Sequence, residues 1–297
     1  MKTYNEKLDI KEIKFLIKKA KEEDFNGGDI TSNLFKRDNT IIKAEVIARE
    51  KMVVCGTEIG KEVLKQYGPR LKLKVHIKDG HMAHKGDSIA TITGPFCSML
   101  SAERVLLNFM QRLSGVATTT RKYVDTIKGT KVKIHDTRKT TPGWRTLEKY
   151  AVRCGGGYNH RMGLYDAVLI KDNHIAQLTK NTYKQLQEII AKAKRLKKIK
   201  FIEVEVDNLE QFKHILKIKG IDFILLDNMA LSQLRKAVLI RNSSPNKPLL
   251  EASGGINLKT ILNVAKTGVE RISVGAIPHS ARSVDIGLDR KIIKRID

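Results

Sequence analysis

Arg138, Lys139, His160, Arg161 and Lys171 are the residues whose types and spacing point most directly to chemistry. They fall in three stretches: Asp136-Thr-Arg138-Lys139-Thr-Thr-Pro-Gly143, Cys154-Gly-Gly-Gly157-Tyr-Asn-His160-Arg161, and Leu169-Ile-Lys171-Asp172-Asn173-His174. A planar guanidinium grips a carboxylate through paired hydrogen bonds, each worth roughly 1.5–3 kcal/mol when charge-assisted, so this cluster suits a substrate with several negative groups. Two simpler readings stay open at this point. Asp136 and Arg138 could pair with each other, and His160 could be a loop histidine whose bonds are satisfied locally. Further along come the carboxylates Glu203, Glu205 and Asp207, then Asp227-Asn228, then the small residues Ser253-Gly254-Gly255 and Gly275-Ala276. Small residues let backbone N–H groups approach a phosphate at helix N-termini, so a phosphorylated ligand follows.

Each of these groups stands just after a short apolar run. The runs are Lys131 to Ile134, Ala167 to Ile170, Phe201 to Val206, Phe223 to Leu226, Leu249 to Glu251 and Arg271 to Val274, with helical patterns between them. Alternating strands and helices predict a parallel α/β barrel, whose strand ends all open on one rim, so that residues more than a hundred positions apart share a pocket. Six units are visible rather than eight, so the barrel is expected to be incomplete. The earlier half reads differently. An amphipathic helix from Leu8 to Ala20 precedes strands at Ile41 to Ala48, Leu71 to Ile77 and Ala90 to Thr93, which suggests an α+β module. Ser98 to Ile127 is helical in spacing, with Gly115 read as a bend between two helices. Gly56-Thr-Glu-Ile-Gly60-Lys61-Glu62 lacks the spacing and the Ser or Thr of a phosphate-binding loop, and reads as a helix start.

Composition excludes several classes. The 297 residues are 41% hydrophobic and 30% charged, with 21 Gly and 6 Pro, which is neither disordered nor collagenous. No apolar run approaches the roughly 20 residues of a membrane span, and the first twenty residues alternate charge with apolar side chains, so neither a span nor a signal peptide is expected. Cys55, Cys97 and Cys154 are too few and scattered for a disulfide framework, and a reducing cytoplasm is the simplest location. The net charge of +24 attracts polyanions generally. Yet Lys192 to Lys200 reads as a solvated helix end, and with aromatics at 5% there is little material for stacking bases, so specific nucleic-acid binding is not expected.

The run from Asp136 to His174 resembles the quinolinate phosphoribosyltransferases, the carboxylating nicotinate-nucleotide pyrophosphorylases. So do Gly28-Asp-Ile-Thr31, Ala102-Glu-Arg104-Val-Leu-Leu-Asn108, Leu113-Ser-Gly-Val-Ala117, Glu203-Val-Glu205-Val-Asp207, Leu225-Leu-Asp-Asn228, Glu251-Ala-Ser-Gly-Gly255 and Ser273-Val-Gly-Ala276 with His279-Ser280, in order over nearly the full chain. The resemblance implies an N-terminal α/β sandwich over residues 1–115, an incomplete α/β barrel over 116–276, and a tail, 277–297, that returns to the sandwich. It implies a homodimer, or a hexamer built as a trimer of dimers, with Arg104 supplied to the partner's site.

It further implies transfer of phosphoribosyl from phosphoribosyl pyrophosphate to quinolinate, with loss of carbon dioxide. Arg138, His160 and Arg161 with Arg104 would hold the diacid, and Lys139 and Lys171 would reach both substrates. Glu205 and Asp227 would stabilise the sugar cation and organise Mg²⁺ directly or through water; the resemblance, not spacing, selects Glu205 over Glu203 and Asp207. Ser253, Gly254 and Gly275 would meet the ribose phosphate, with His279 nearby. The ribosylated ring nitrogen can itself accept the electrons of decarboxylation, so no pyridoxal phosphate, flavin or thiamine is expected. Competing readings are a transferase of the same fold that releases no carbon dioxide, a Schiff-base aldolase using Lys171, and a nucleic-acid binder.

Overall fold

Alternation of small apolar with larger or polar side chains along Ile41–Ala48 predicts a strand with one buried face, and Ala44, Val46 and Ala48 are its buried residues. A computed structural model describes residues 8, 10–34, 40–178 and 182–289. The first elements are α1 (Ile10–Phe25), α2 (Ile30–Leu34), β1 (Ile41–Ala48), β2 (Met52–Val53), α3 (Thr57–Tyr67), β3 (Lys72–Val75), β4 (Met82–Ala83), β5 (Ser88–Pro95) and α4 (Phe96–Thr126). Then follow β6 (Lys133–His135), α5 (Arg145–Cys154), β7 (Val168–Ile170), α6 (Asp172–Ile175), α7 (Thr182–Lys194), β8 (Ile202–Val206), α8 (Leu209–Ile215) and β9 (Phe223–Asp227). Last are α9 (Leu231–Asn242), β10 (Leu249–Ser253), α10 (Ile261–Ala265), β11 (Arg271–Ser273), α11 (Ala276–His279) and β12 (Ile286–Asp289).

Two compact units result: Met1–Arg121 with Thr141–Gly156 and Ser280–Asp297, and Lys122–Thr140 with Gly157–His279. In the first unit an antiparallel sheet runs β12-β1-β5-β3, so the tail does return to the first sheet, Ala48 pairing with Ile286. The tail's residues 290–297 lie outside the described residues. Sequence reading places α5 in the barrel, whereas it groups with the first unit. The reason is its buried Glu148, which accepts hydrogen bonds from Arg112 Nη2 (2.6 Å) and from Thr141 N (3.0 Å), while Tyr150 Oη donates to Asp79 (2.7 Å).

The expected bend at Gly115 is absent, because α4 is one continuous helix. Glycine is needed there for close approach: a Cβ would lie 2.0 Å from the carbonyl oxygen of Arg282. The helix read to start near Gly56 is α3, and its first two N–H groups, of Gly56 and Thr57, donate to the two oxygens of Asp79. Asp79→Ala is expected to lower stability by about 1–2 kcal/mol, the loss of a helix cap, measured by denaturant melts; a change near zero would mean water caps the helix equally well.

In the second unit the six parallel strands run β6-β11-β10-β9-β8-β7. They are the six runs marked out by sequence, each shifted at its ends by a residue or two. Phe223, Ile224, Leu225 and Leu226 are all buried, as a parallel strand covered on both faces requires. Among the described residues β6 and β7 have no further strand beside them, so the barrel is incomplete. No helix among the described residues is long and apolar enough to cross a membrane.

Candidate active site

Strands in register put every second residue on a common layer. Pairing aligns Glu205 with Leu225, Leu225 with Glu251 and Glu251 with Arg271, and one layer earlier Glu203 with Phe223 and Phe223 with Leu249. At the earlier end Ala167, Phe201 and Phe223 pack with Leu249 into an apolar plug. At the later end opens a cavity of about 580 Å³. Between them lies a buried ion layer.

Glu203 and Glu251 are fully buried. His160 Nε2 stands 3.0 Å from Glu203 Oε2 and 3.3 Å from Glu251 Oε1, and Arg271 Nη1 is 3.6 Å from Glu251 Oε2. Ser273 Oγ donates to Glu251 as well. The Arg271 guanidinium lies flat on the plug, 3.4 Å from the Phe223 ring centre, which gives a desolvated cation an aromatic face. Burial alone would push the His160 pKa down. The Glu251 charge and hydrogen bonds to Glu203 and Glu251 outweigh it and raise the value to about 10. The Arg161 N–H also reaches His160 Nδ1 (2.8 Å), a bond that requires an unprotonated Nδ1. Magnitude decides between them. Two ion contacts near 3 Å amount to about 5 kcal/mol each at an effective dielectric of 20, against roughly 1 kcal/mol for one neutral hydrogen bond, so the imidazolium wins.

Burial raises Glu203, and the neighbouring Glu251 charge raises it further. Burial acts on Glu251 in the same sense, but His160 above all reverses it and holds Glu251 down at about 2. His135, buried beside this layer, is pushed down to about 3, by burial first and then by Arg271, and stays neutral. Asp136 accepts the His160 N–H (2.8 Å) and the Asn159 amide (2.6 Å), which fixes the loop carrying His160 and Arg161.

The cavity above collects Arg138, Lys139, His160, Arg161, Lys171, Glu205, Asp227, Ser253, Gly254, Gly275 and His279, which come from all six strand ends. Arg104 is exposed on α4 and does not line it. Arg161 is held below the ordinary arginine value by burial and then by the charge of Arg138, so two guanidinium groups share one partly desolvated wall. An anion with two carboxylates relieves that repulsion. His160 lines the same wall, but with Nε2 held by two carboxylates it contributes charge rather than a free donor. Lys171 Nζ contacts Glu205 Oε2 at 2.7 Å; a paired ammonium suits charge neutralisation rather than Schiff-base attack.

Glycines shape the other wall. A Cβ on Gly275 would fall 3.1 Å from Lys139 Cδ and 3.8 Å from His279 Nε2, so these three residues touch. Gly254 and Gly255 have φ of 93° and 60°, and a Cβ on Gly254 would fall 2.1 Å from Asn228 Oδ1. Asn228 itself has φ 52°, donates its N–H to the Ser253 carbonyl (2.9 Å) and its amide to Asp227 Oδ2 (2.7 Å). Sequence reading missed this residue as a positioner of Asp227 and Gly254. Asn, the side chain most tolerant of a left-handed backbone, beside a strand-ending Asp was the available signal.

Glu205 and Asp227 end adjacent strands on the cavity wall, and each meets a protein partner through one oxygen, Oε2 and Oδ2 respectively. Two hard carboxylates beside a phosphate-sized space fit Mg²⁺, which takes one or two such ligands with phosphate oxygens and water.

Comparison with known proteins agrees with this geometry. Residues 29–114 match the family model of the quinolinate phosphoribosyl transferase N-terminal domain, and residues 116–289 that of the C-terminal domain. The chain is 42% identical over 268 residues to a probable nicotinate-nucleotide pyrophosphorylase [carboxylating] of Bacillus subtilis, covering 90% of this chain and 89% of the relative. It is 41% identical to the nicotinate-nucleotide pyrophosphorylase [carboxylating] of Mycobacterium leprae, over 92% of this chain and 95% of the relative. A solved nicotinate-nucleotide pyrophosphorylase from Francisella tularensis superposes with a TM-score of 0.86 at 39% identity, over 95% of this chain and 97% of the other. On both domains and on the residues gathered at the strand ends, the chain belongs to the quinolinate phosphoribosyl transferase family.

Proposed function

We propose that this protein transfers phosphoribosyl from phosphoribosyl pyrophosphate to quinolinate with decarboxylation, forming nicotinate mononucleotide, pyrophosphate and carbon dioxide in de novo NAD biosynthesis. The observation that carries the reading is one cavity with two guanidinium groups on one wall, a glycine cradle on the other and two carboxylates between the lysines. The names of the relatives support the same reaction.

The diacid binds to Arg138 and Arg161, with the His160 charge behind them and Arg104 of a second copy completing the site. The assembly is therefore a homodimer, or dimers combined into a hexamer. The ribose phosphate lies at Ser253, Gly254 and Gly275, next to His279. As pyrophosphate leaves, Lys139 and Lys171 neutralise its oxygens, while Glu205 and Asp227 hold the ribose hydroxyls and stabilise positive charge at the sugar carbon. An incoming pyrophosphate competes for Lys171, which frees Glu205 for that task. Glu205 and Asp227 would also hold Mg²⁺, directly or through water, and the ion when bound supplies charge neutralisation to the pyrophosphate. Holding the ring nitrogen in line with the sugar carbon, away from water, supplies much of the remaining acceleration. A cytoplasmic location fits the supply of both substrates.

The test is incubation of the protein with quinolinate, phosphoribosyl pyrophosphate and Mg²⁺, with mass detection of nicotinate mononucleotide and trapping of labelled carbon dioxide. Turnover of nicotinate without carbon dioxide release would replace this reading by the non-decarboxylating transferase. Gly254→Ala is expected to raise KM for phosphoribosyl pyrophosphate roughly tenfold or more and KM for quinolinate far less. The added methyl displaces Asn228, and one lost charge-assisted bond to phosphate is worth about 1.5 kcal/mol or more. Initial rates with each substrate varied in turn would show it.

A further inference from the structure

We propose that Cys55 and Cys154 form a reversible disulfide under peroxide, with Cys154 oxidised first and Cys55 resolving it. The two Sγ atoms and a carboxylate oxygen of Asp79 lie within 4.8 Å of one another in the first unit, outside the cavity described above. Cys55, just after β2, is fully buried, and Ser114 clasps its backbone: Ser114 Oγ accepts the Cys55 N–H (2.9 Å) and donates to the Cys55 carbonyl (3.1 Å). Cys154 ends α5 and is half-buried. Its neighbour Gly155 is seated on α4, where its carbonyl accepts Arg121 Nε (3.0 Å) and a Cβ would fall 2.5 Å from the Ala117 carbonyl oxygen. Both cysteines are therefore fixed to one helix, and their sulfurs already share a hydrogen bond. An S–S bond of about 2.05 Å then needs only a short approach of the two sulfurs, and the encounter carries a high effective concentration.

The same cluster could be read as a metal site, but Asp79 argues against that. One of its oxygens accepts the Gly56 N–H and the Tyr150 hydroxyl, and the other accepts the Thr57 N–H. Its carboxylate is committed to capping α3. The two thiols are also unequal. The hydrogen bond from Cys55 lowers the Cys154 pKa, while burial pushes Cys55 well up, so the more exposed sulfur is the better thiolate. The Cys154 thiolate attacks one peroxide oxygen, the O–O bond breaks and hydroxide leaves, giving a sulfenic acid. The Cys55 sulfur then attacks the Cys154 sulfur; its proton and the departing hydroxyl form water. In sum two thiols and hydrogen peroxide give a disulfide and two waters, peroxide being reduced by two electrons. The disulfide keeps Cys154 from the irreversible sulfinic state and is reopened by a dithiol.

The experiment treats the full chain with hydrogen peroxide, alkylates remaining thiols and maps peptides by mass spectrometry without reduction. The expected result is a peptide pair joined through Cys55 and Cys154 that disappears with dithiothreitol, while Cys97 is alkylated as before. In Cys55→Ser, Cys154 is expected to accumulate as sulfinic or sulfonic acid. Cys154 sulfinic acid in the unsubstituted protein, a disulfide between two copies, or two thiols still alkylated after peroxide would each overturn the proposal. None of these readouts depends on turnover, so failure here and failure of the transferase reading are separate results.

Discussion

Arg138→Lys is expected to lower kcat/KM for quinolinate roughly 10- to 150-fold, with little change in melting temperature or in KM for phosphoribosyl pyrophosphate. Lysine keeps the charge but cannot offer two parallel donors to one carboxylate. Losing one of the paired bonds removes about 1.5–3 kcal/mol of transition-state binding, at a tenfold rate change per 1.36 kcal/mol. Arg161 stands on the same wall and feels the Arg138 charge. The double variant Arg138→Lys with Arg161→Lys should therefore lose less than the product of the two single losses, because both arginines act on one ligand. Unchanged turnover, or equal losses for both substrates, would move the diacid away from this wall.

The positions of the strand-end residues were legible because a parallel barrel turns chain order into geometry: Lys139, Lys171, Glu205 and Asp227 each follow an apolar run, and all line one cavity. What sequence could not supply was contact at long range. Gly115 looked like a helix bend because glycine is a poor helix former, and only the backbone of Arg282, far along the chain, explains it. The place of α5 depended on which partner its buried Glu148 would find, and that partner is Arg112 of the preceding helix. The ion layer was hidden for the same reason. Glu203 and Glu251 lie on different strands of the sheet, and periodicity says only that each points inward, not that His160 stands between them.

That ion layer should set an optimum of stability near pH 6.5 and make Glu251 the most costly residue of the barrel to remove. His160 is raised from an ordinary value near 6.5 to about 10, so its contribution is complete below pH 6.5 and is lost as pH rises toward 10. Glu203, held above the ordinary carboxylate value, works on the same alkaline side. Glu251, depressed to about 2, contributes fully above pH 4.5 and less as pH falls toward 2. His135, depressed to about 3, loses its contribution as pH falls from 6.5. The acid and alkaline limbs therefore cross near the ordinary histidine value. Glu251→Gln leaves Arg271 and His160 short of a counter-charge, and removing one partner from a buried pair costs about 3–5 kcal/mol. His160→Gln should flatten the alkaline limb, since the proton whose release weakens the native state is gone. Melting temperatures from pH 4 to 9 for the three proteins would show this. If the alkaline limb survives His160→Gln unaltered, the imidazole is neutral in the native state, and the Arg161 N–H bond to Nδ1, not the two carboxylates, governs its protonation.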